Sequence, residues 1–337
     1  MTERFDASRI AFHSLSRRLG EPWTAAYLRR VRERASRDPE VRRALATLAG
    51  ARALNMLVGP YGEGKENRGL LSWLPRGPLV PGDLAPSEAG PEENRTWVLD
   101  LARRLGAAAA GVAELREAWI YGRVQLNPYS PDTPVTKAVA VRDVPDPLET
   151  EDELVIPAAV NRAVVVLVQM DRKRLGPRPP LSASIETNLG YSRMGALVVS
   201  LADAIRAAGY VAIPCMNDTA LSVPLAVAAG LGRAGRHGLL IAEDLGSCVR
   251  IAKVLTDMPL DPAPAPTTML SEFCDTCTAC ARACPAGAIP DGPPTADAPN
   301  PCNHPGTPKW PVDGEACLAH WVEQGNTCAL CQRVCRF

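Results

Sequence analysis

Nine of the eleven cysteines in this 337-residue chain lie between Cys274 and Cys335. The first four, with the proline that follows them, have the spacing C-x2-C-x2-C-x3-C-P, which is typical of bacterial proteins that hold two 4Fe–4S clusters. Two-residue gaps let three thiolates converge on one cluster, whereas the fourth cysteine begins a segment that leads away from it. This fourth cysteine, Cys284, is therefore predicted to bind a second cluster.

A second group of cysteines, which begins at Cys317, has the spacing C-x10-C-x2-C-x3-C. Because the fourth cysteine of each group ligates the other cluster, we predict two crossed sets of four thiolates. The first set is Cys274, Cys277, Cys280 and Cys335, and the second set is Cys284, Cys317, Cys328 and Cys331. Cys302 and the nearby His304 are interpreted as loop residues, and Cys215 and Cys248 as buried thiols of the core.

Two other uses of cysteine fit this pattern less well. A disulfide framework is typical of small secreted domains, but no apolar segment follows Arg17-Arg18, so the sequence shows no export signal. Structural zinc needs four ligands around one ion, and the four-cysteine run is more specific to iron–sulfur proteins than a lone C-x2-C pair. The spacing therefore favours two 4Fe–4S clusters, which would carry electrons.

The composition disfavours several functional classes. Lys+Arg and Asp+Glu both number 37, so a formal net charge of zero gives no sign of a nucleic-acid-binding surface. No apolar run approaches the roughly 18 residues of a membrane span. Residues 59–65 spell G-x-x-x-x-G-K, but Glu66 stands where a phosphate-binding loop requires Ser or Thr. We therefore expect a cytoplasmic protein without a nucleotide site and without nucleic-acid or membrane partners.

The hydrophobic pattern predicts helices and strands that alternate, which favours an α+β or α/β layered core. The apolar run AVVVLVQM from Ala163 to Met170 indicates a strand that is buried on both faces. Helices are predicted within residues 1–58, with starts near Pro22 and at Asp38-Pro39, and at 95–106, 191–208 and 221–229, and further strands end at residues 112, 213 and 242. We divide the chain into an N-terminal helical region with a long loop (1–94), a core (95–265) and a cysteine segment (266–337).

The core and the cysteine segment together resemble the corrinoid-dependent reductive dehalogenases, over roughly residues 95–337. The resemblance rests on NLGYSRMG at 188–195, NDTALSVP at 217–224, AGLGRAGRHGLLI at 229–241 and VRIAKV at 249–254. It implies a nitroreductase-like core that binds base-off cobalamin, followed by a ferredoxin-like domain with two 4Fe–4S clusters. The sequence motifs alone do not indicate the corrinoid.

The resemblance also implies roles for individual residues. Tyr191 matches the tyrosine that donates a proton to the substrate carbon, Arg250 matches the arginine that pairs with it, and Asn217 matches a neighbouring polar residue. Replacing a carbon–halogen bond by carbon–hydrogen needs two electrons and one proton, and a nearby cation stabilises the phenolate that remains. The glycines that match a loop near the corrinoid are Gly230, Gly232, Gly235 and Gly238.

The resemblance implies a reductive dehalogenase that acts on an organohalide with a ferredoxin- or flavodoxin-like electron donor, and it is compatible with a homodimer. A second hypothesis is an epoxyqueuosine reductase, a related corrinoid enzyme that acts on tRNA. The zero net charge and the lack of a basic helical tail disfavour it. A third hypothesis is an electron carrier or corrinoid-handling protein, and the pair of Tyr191 and Arg250 favours catalysis instead.

Overall fold

The computed structural model describes residues 4–58, 73, 89–126, 135–264 and 266–337. The predicted N-terminal helices are present, and residues 59–65 lie outside the described part. These helices are α1 (Ala11–Leu19), α2 (Trp23–Arg37), α3 (Pro39–Val58) and α4 (Pro91–Arg104). Pro22 directly precedes α2, and the Asp38 carboxylate accepts a hydrogen bond of 2.8 Å from the Glu40 amide at the start of α3. Both predicted helix starts are therefore confirmed.

The middle of the chain alternates strands with helices. The strands before the long helix are β1 (Ala109–Glu114), β2 (Arg123–Leu126), β3 (Val135–Arg142), β4 (Leu148–Glu149), β5 (Glu153–Pro157) and β6 (Arg162–Gln169). They are followed by α5 (Ser182–Ala207), β7 (Ala212–Cys215), α6 (Ser222–Ala228), β8 (Gly232–Ala234), β9 (Leu240–Ala242) and β10 (Val249–Thr256). The cysteine segment contains α7 (Phe273–Thr276), α8 (Ala279–Ala283), α9 (Gly314–Gln324) and α10 (Leu330–Val334).

The largest sheet has the antiparallel order β1-β6-β10-β7, with α4 and α5 on one face and α6 on the other. Residues 163–167 of β6 are fully buried, so the predicted two-sided burial of this strand is confirmed. A smaller sheet has the order β2-β3-β5-β4, and β8 pairs with β9 in a hairpin. The expected mixed α and β layered core is therefore present.

Two expectations about the elements are wrong in detail. Helix α5 begins at Ser182 rather than residue 191, so Tyr191 lies inside the helix. Its first turns are rich in polar residues, but these are buried: the Glu186 carboxylate accepts a bond of 2.9 Å from the Asp171 amide. Strand β10 was not predicted, because Arg250 and Lys253 interrupt its apolar pattern.

The N-terminal helices contact both other parts of the chain. Helices α1 and α2 pack against α9 of the cysteine segment, and α3 packs against α5 of the core. Arg34 donates a hydrogen bond of 2.8 Å to the Gln324 carbonyl, and Tyr27 Oη lies 3.0 Å from Ser184 Oγ. No helix within the described ranges is long and apolar enough to cross a membrane.

Candidate functional site

Three residues predicted as a site, Tyr191 in α5, Arg250 in β10 and Asn217 in the turn after β7, come together in the structure. Asn217 Nδ2 donates a hydrogen bond of 2.6 Å to the Tyr191 hydroxyl oxygen. The guanidinium carbon of Arg250 lies 4.9 Å from the centroid of the Tyr191 ring, so the cation stacks on the ring face. Because the phenolic oxygen accepts the bond from Asn217, its own proton remains available to another acceptor.

Arg250 is held in place by neighbours on β6 and α5. Its Nε donates to Met170 Sδ at 3.3 Å, and its Nη2 donates to Thr187 Oγ1 at 3.2 Å. A Cβ at position 190 would lie 3.0 Å from Arg250 Cγ, so Gly190 allows the arginine to pass close to the helix. These contacts fix the guanidinium against the tyrosine ring.

The turn that contains Asn217 is held by a buried lysine, Lys253, for which the sequence alone predicted no role. Lys253, fully buried in β10, donates a hydrogen bond of 2.6 Å from Nζ to the Met216 carbonyl. The Asp218 carboxylate accepts a bond of 2.8 Å from the Met216 amide and one of 3.0 Å from Thr219 Oγ1. Burial lowers the pKa of Lys253, and the charge of Asp218 partly opposes this shift. The available signal was a lysine flanked on both sides by apolar residues, in the segment IAKVL at 251–255.

A cavity of about 390 Å³ opens just after the end of β6, and Tyr191, Asn217 and Arg250 are not among the residues that line it. Met170, which contacts Arg250, lines one part of the cavity, and Cys248 and Phe337 line others. Arg172 also lines it and donates hydrogen bonds to the carbonyls of Cys335 and Phe337. The cavity is therefore bordered by residues that contact Arg250 and by residues that contact a predicted cluster ligand.

All eleven cysteines are free thiols, and the electrostatics of the predicted ligands show which of them lie close to one another. Burial raises the pKa of Cys280 to about 11, and its closest charged neighbours include Cys274 and Cys335. Burial raises the pKa of Cys317 to about 12, with further contributions from Cys328 and Cys284. Cys280 also acts on Cys331, which belongs to the other predicted set, so the division of the eight cysteines into two crossed sets stays a prediction.

The described residues contain no three His, Cys, Asp or Glu side chains arranged around a single metal ion. The two left-over residues of the cysteine segment have ordinary surroundings. Cys302 Sγ lies 3.4 Å from the position of a Cβ built on Gly314, and His304 Nδ1 lies 2.9 Å from the Pro305 carbonyl oxygen. Their interpretation as loop residues stays a prediction, as does the ligand role of each cysteine.

The predicted corrinoid-contacting glycines lie in and around the β8–β9 hairpin. A Cβ at Gly232 would overlap the Ile241 carbonyl, and the φ angle of Gly232 is +145°, so packing within the chain already requires this glycine. Gly230 and Gly238 also have positive φ angles, and a Cβ at Gly235 would lie 2.8 Å from the Ile241 side chain. Contact between these glycines and a cofactor stays a prediction.

His237 in the same hairpin has a buried ring nitrogen without a partner. Its Nδ1 accepts a hydrogen bond of 3.2 Å from the Leu239 amide, and burial lowers its pKa to about 4. The neutral ring therefore carries its proton on Nε2, which has no hydrogen-bond partner among the described residues. A buried donor of this kind could be satisfied by a bound group.

No model of a known protein family matches the chain. The chain is 38% identical over 260 residues to a tetrachloroethene reductive dehalogenase of Sulfurospirillum multivorans and 36% identical over 264 residues to one of Dehalobacter restrictus. The alignments cover 75% and 72% of this chain but only 52% and 48% of those proteins. The chain thus spans about half the length of the curated relatives it matches.

An epoxyqueuosine reductase of Escherichia coli is 42% identical over 78 residues, which is 23% of this chain and 19% of that protein. Among solved structures, a catabolic reductive dehalogenase in complex with 3-bromo-4-hydroxybenzoic acid gives a TM-score of 0.62 at 21% identity, covering 86% of this chain and 36% of that chain. A second reductive dehalogenase structure gives a TM-score of 0.61 at 21% identity, covering 88% and 38%. The structural likeness shows a shared fold.

Proposed function

Because the chain is homologous to reductive dehalogenases over about three quarters of its length, we propose that it acts as a cobalamin-dependent oxidoreductase on organohalides. The reaction would replace a carbon–halogen bond by carbon–hydrogen, consuming two electrons and one proton and releasing halide. The observation that carries the proposal is the hydrogen-bonded and stacked group of Tyr191, Asn217 and Arg250.

Tyr191 is the proposed proton donor. Its oxygen is held by the bond of 2.6 Å from Asn217, which leaves the hydroxyl proton free for transfer to the substrate carbon. After the transfer, the Asn217 amide still donates to the phenolate oxygen. The Arg250 guanidinium, stacked on the ring, favours the negative charge that has formed there.

Two features of the structure fit a corrinoid. The cavity is lined by Met170, which accepts a hydrogen bond from the Arg250 side chain, and His237 has a buried donor without a partner among the described residues. When bound, the corrinoid would supply the strongly reducing centre that breaks the carbon–halogen bond. The predicted corrinoid loop of residues 230–238 is part of this proposal, and its four glycines would permit close backbone approach.

The grouping of eight thiols fits two 4Fe–4S clusters on the crossed ligand sets, which would pass electrons from a ferredoxin- or flavodoxin-like donor. In this proposal, residues 266–337 form a ferredoxin-like domain, residues 95–265 form a nitroreductase-like core, and residues 1–94 form a helical region with a long loop. The cytoplasmic location, the lack of nucleic-acid partners and the homodimer stay predictions.

The test is an anaerobic reconstitution of the full chain with iron, sulfide and cobalamin. With titanium(III)-reduced methyl viologen as the donor, we expect halide and the dehalogenated product from a panel of aryl and alkenyl halides. The variant Y191F should lose about 10²- to 10⁴-fold in turnover, the usual contribution of a general acid, at unchanged cofactor content.

Y210F serves as the matched control, because Tyr210 lies after the end of α5 and outside the proposed site. Its turnover should equal that of the unsubstituted protein. Absence of halide release across the panel, with both kinds of cofactor bound, would contradict the dehalogenase proposal. Equal turnover of Y191F and Y210F would contradict the role of Tyr191 alone.

A further inference from the structure

A buried arginine, Arg236, connects the β8–β9 hairpin of the core to the first cysteine motif. Only 1% of Arg236 is exposed. Its side chain donates hydrogen bonds of 2.6 Å to the Cys274 carbonyl and 3.0 Å to the Cys277 carbonyl. Its Nη1 donates at 3.0 Å to the Pro290 carbonyl and at 2.6 Å to the Gly292 carbonyl. The guanidinium thus contacts the backbone of two predicted ligands of one cluster.

The main chain of Arg236 makes a further contact with the same motif. Its amide donates a hydrogen bond of 3.4 Å to Cys274 Sγ, the sulfur that the sequence predicts to bind iron. The guanidinium carbon also lies 5.0 Å from the centroid of the Trp310 ring, which covers it from solvent. One residue therefore presents both a cation and an N–H donor to the first cluster site.

Within the described part of the chain, the charge of Arg236 has no carboxylate partner. Among the ion pairs of the described residues, none involves Arg236. A guanidinium stays protonated in proteins, and a buried charge without a counter-charge is costly. A 4Fe–4S cluster with four thiolate ligands carries a net negative charge. The unpaired buried cation beside Cys274 and Cys277 is therefore a structural feature that suits an anionic cluster.

The core fixes the position of Arg236 through main-chain pairing. The Ala234 amide donates to the Met269 carbonyl at 2.8 Å, and the Ser271 amide donates to the Ala234 carbonyl at 2.9 Å. These bonds attach the end of β8 to the chain just before Cys274. Arg236 follows two residues after this attachment, so its distance from the motif is set by backbone contacts on both sides.

We propose that Arg236 is a positioning residue that raises the reduction potential of the cluster on Cys274, Cys277, Cys280 and Cys335. The inference rests on the proposed function, because it requires that this cluster is bound. Reduction adds one electron and no proton, so the reduced cluster is more negative than the oxidised one. A buried cation and an N–H···S bond stabilise the reduced form more, and charge and hydrogen bonds to sulfur are known determinants of cluster potential.

The experiment is a redox titration of the reconstituted full chain followed by EPR, with dithionite as reductant and no organohalide present. In R236Q, the ratio of reduced to oxidised first cluster at a fixed potential should fall at least about tenfold, which corresponds to 59 mV for a one-electron couple. The midpoint of the second cluster should not change. Iron and sulfide content and thermal unfolding are measured on the same samples.

R282Q is the matched control, because Arg282 lies in α8 between the predicted ligands Cys280 and Cys284 but is exposed. Its side chain donates one hydrogen bond of 2.8 Å to Thr278. Solvent screens its charge, so the midpoint should stay within the error of the unsubstituted protein. A shift in R282Q as large as that in R236Q would overturn the inference, as would an unchanged midpoint in R236Q.

R236K decides the matter if R236Q retains no iron. Lysine keeps the positive charge beside the cluster, so the midpoint of R236K should stay close to that of the unsubstituted protein, and a tenfold or larger fall in the reduced fraction would overturn the inference. Failure of the unsubstituted protein to bind iron would instead count against the proposed function. The two failures are therefore distinguished by iron content before any potential is measured.

Discussion

The large sheet and the cysteine segment are stabilised by different means. In the sheet, residues 163–167 are fully buried, and their side chains pack between α5 on one face and α6 on the other. In the segment at 266–337, one cluster of buried side chains consists of Ile241, Cys274, Trp310 and Cys335. Two members of this cluster are thiols and one comes from the core. The sheet is thus held by apolar burial, whereas the segment has few apolar side chains of its own.

The segment is also attached to the rest of the chain by polar contacts from outside it. Ser184 of α5 accepts a hydrogen bond of 2.9 Å from the Thr327 amide, just before Cys328. Arg172 donates to the carbonyls of Arg333, Cys335 and Phe337, and Arg236 holds the first motif. The comparison therefore predicts that the segment depends on contacts from the core and on the proposed clusters more than the large sheet depends on the segment.

Removing one predicted ligand is the most severe way to test this difference. In C317A, iron should fall from about eight to about four atoms per chain, because one of the two proposed 4Fe–4S clusters would lose a ligand. Metal binding is folding energy for small cysteine-rich segments, so amide exchange in residues 314–334 should accelerate by orders of magnitude. Exchange in β6 should remain unchanged. Iron analysis and hydrogen exchange read by mass spectrometry give both measurements.

C302A is the control for this prediction, since Cys302 lies in the same segment but outside both predicted ligand sets. Its iron content and exchange should match those of the unsubstituted protein. If C302A loses a cluster and C317A does not, the assignment of ligands is wrong. If exchange in β6 rises as much as in the segment, the two regions are not independent.

A substitution in the large sheet should lower the stability of the fold and leave the cluster site unchanged. Leu167 is fully buried in β6, so L167A should lower the free energy of unfolding by about 2–5 kcal/mol through lost burial and the cavity that remains. Leu148 is 43% exposed in β4, and L148A should change the free energy of unfolding by no more than about 0.5 kcal/mol. Denaturant unfolding measures both values, and the cluster spectrum of folded L167A should stay the same.

An equal destabilisation by L167A and L148A would contradict the view that burial in the large sheet dominates stability. A change in the cluster spectrum of folded L167A would show that the segment senses core packing more directly than its polar contacts suggest. Either result would change the comparison between the two regions.

Local patterns in the sequence were sufficient where one segment determines its own structure. The run from Ala163 to Met170 is apolar throughout, so its burial on both faces could be predicted without knowledge of its partners. The breaks at Pro22 and at Asp38-Pro39 likewise mark helix starts by backbone chemistry alone. The spacing of the cysteines constrains a site in the same local way.

Features that depend on long-range partners could not be predicted in this way. The polar first turns of α5 suggest a loop until the contact of Glu186 with the Asp171 amide is known. Arg250 and Lys253 obscure β10 because their charges are accommodated by residues far away in sequence, such as Thr187 and Met216. The meeting of Tyr191 with Asn217 and Arg250 was expected only from resemblance, since no local pattern links three such distant positions.

The smallest expected effect is the change in the free energy of unfolding at acidic pH, and it should differ between the cysteine segment and the large sheet. His13 in α1, which packs against α9, is 3% exposed, and burial lowers its pKa to about 4, with Arg17 adding to the shift. The unfolded chain takes up this proton near the ordinary pKa of about 6.5. Between pH 6.5 and pH 4 the unfolded state therefore binds more protons, and the free energy of unfolding falls as the pH falls.

The contribution of His13 to the free energy of unfolding is at most about 3.4 kcal/mol, because each tenfold change in proton affinity corresponds to about 1.4 kcal/mol. His237, whose pKa is also lowered to about 4, titrates in the same window, and both residues lie where other elements meet the cysteine segment. Acid should therefore accelerate amide exchange in α9 before it affects β6. H13Q removes one of these protons, so its free energy of unfolding should fall less steeply from pH 6.5 to pH 4. Identical slopes for H13Q and the unsubstituted protein would show that acid acts on the segment through other groups.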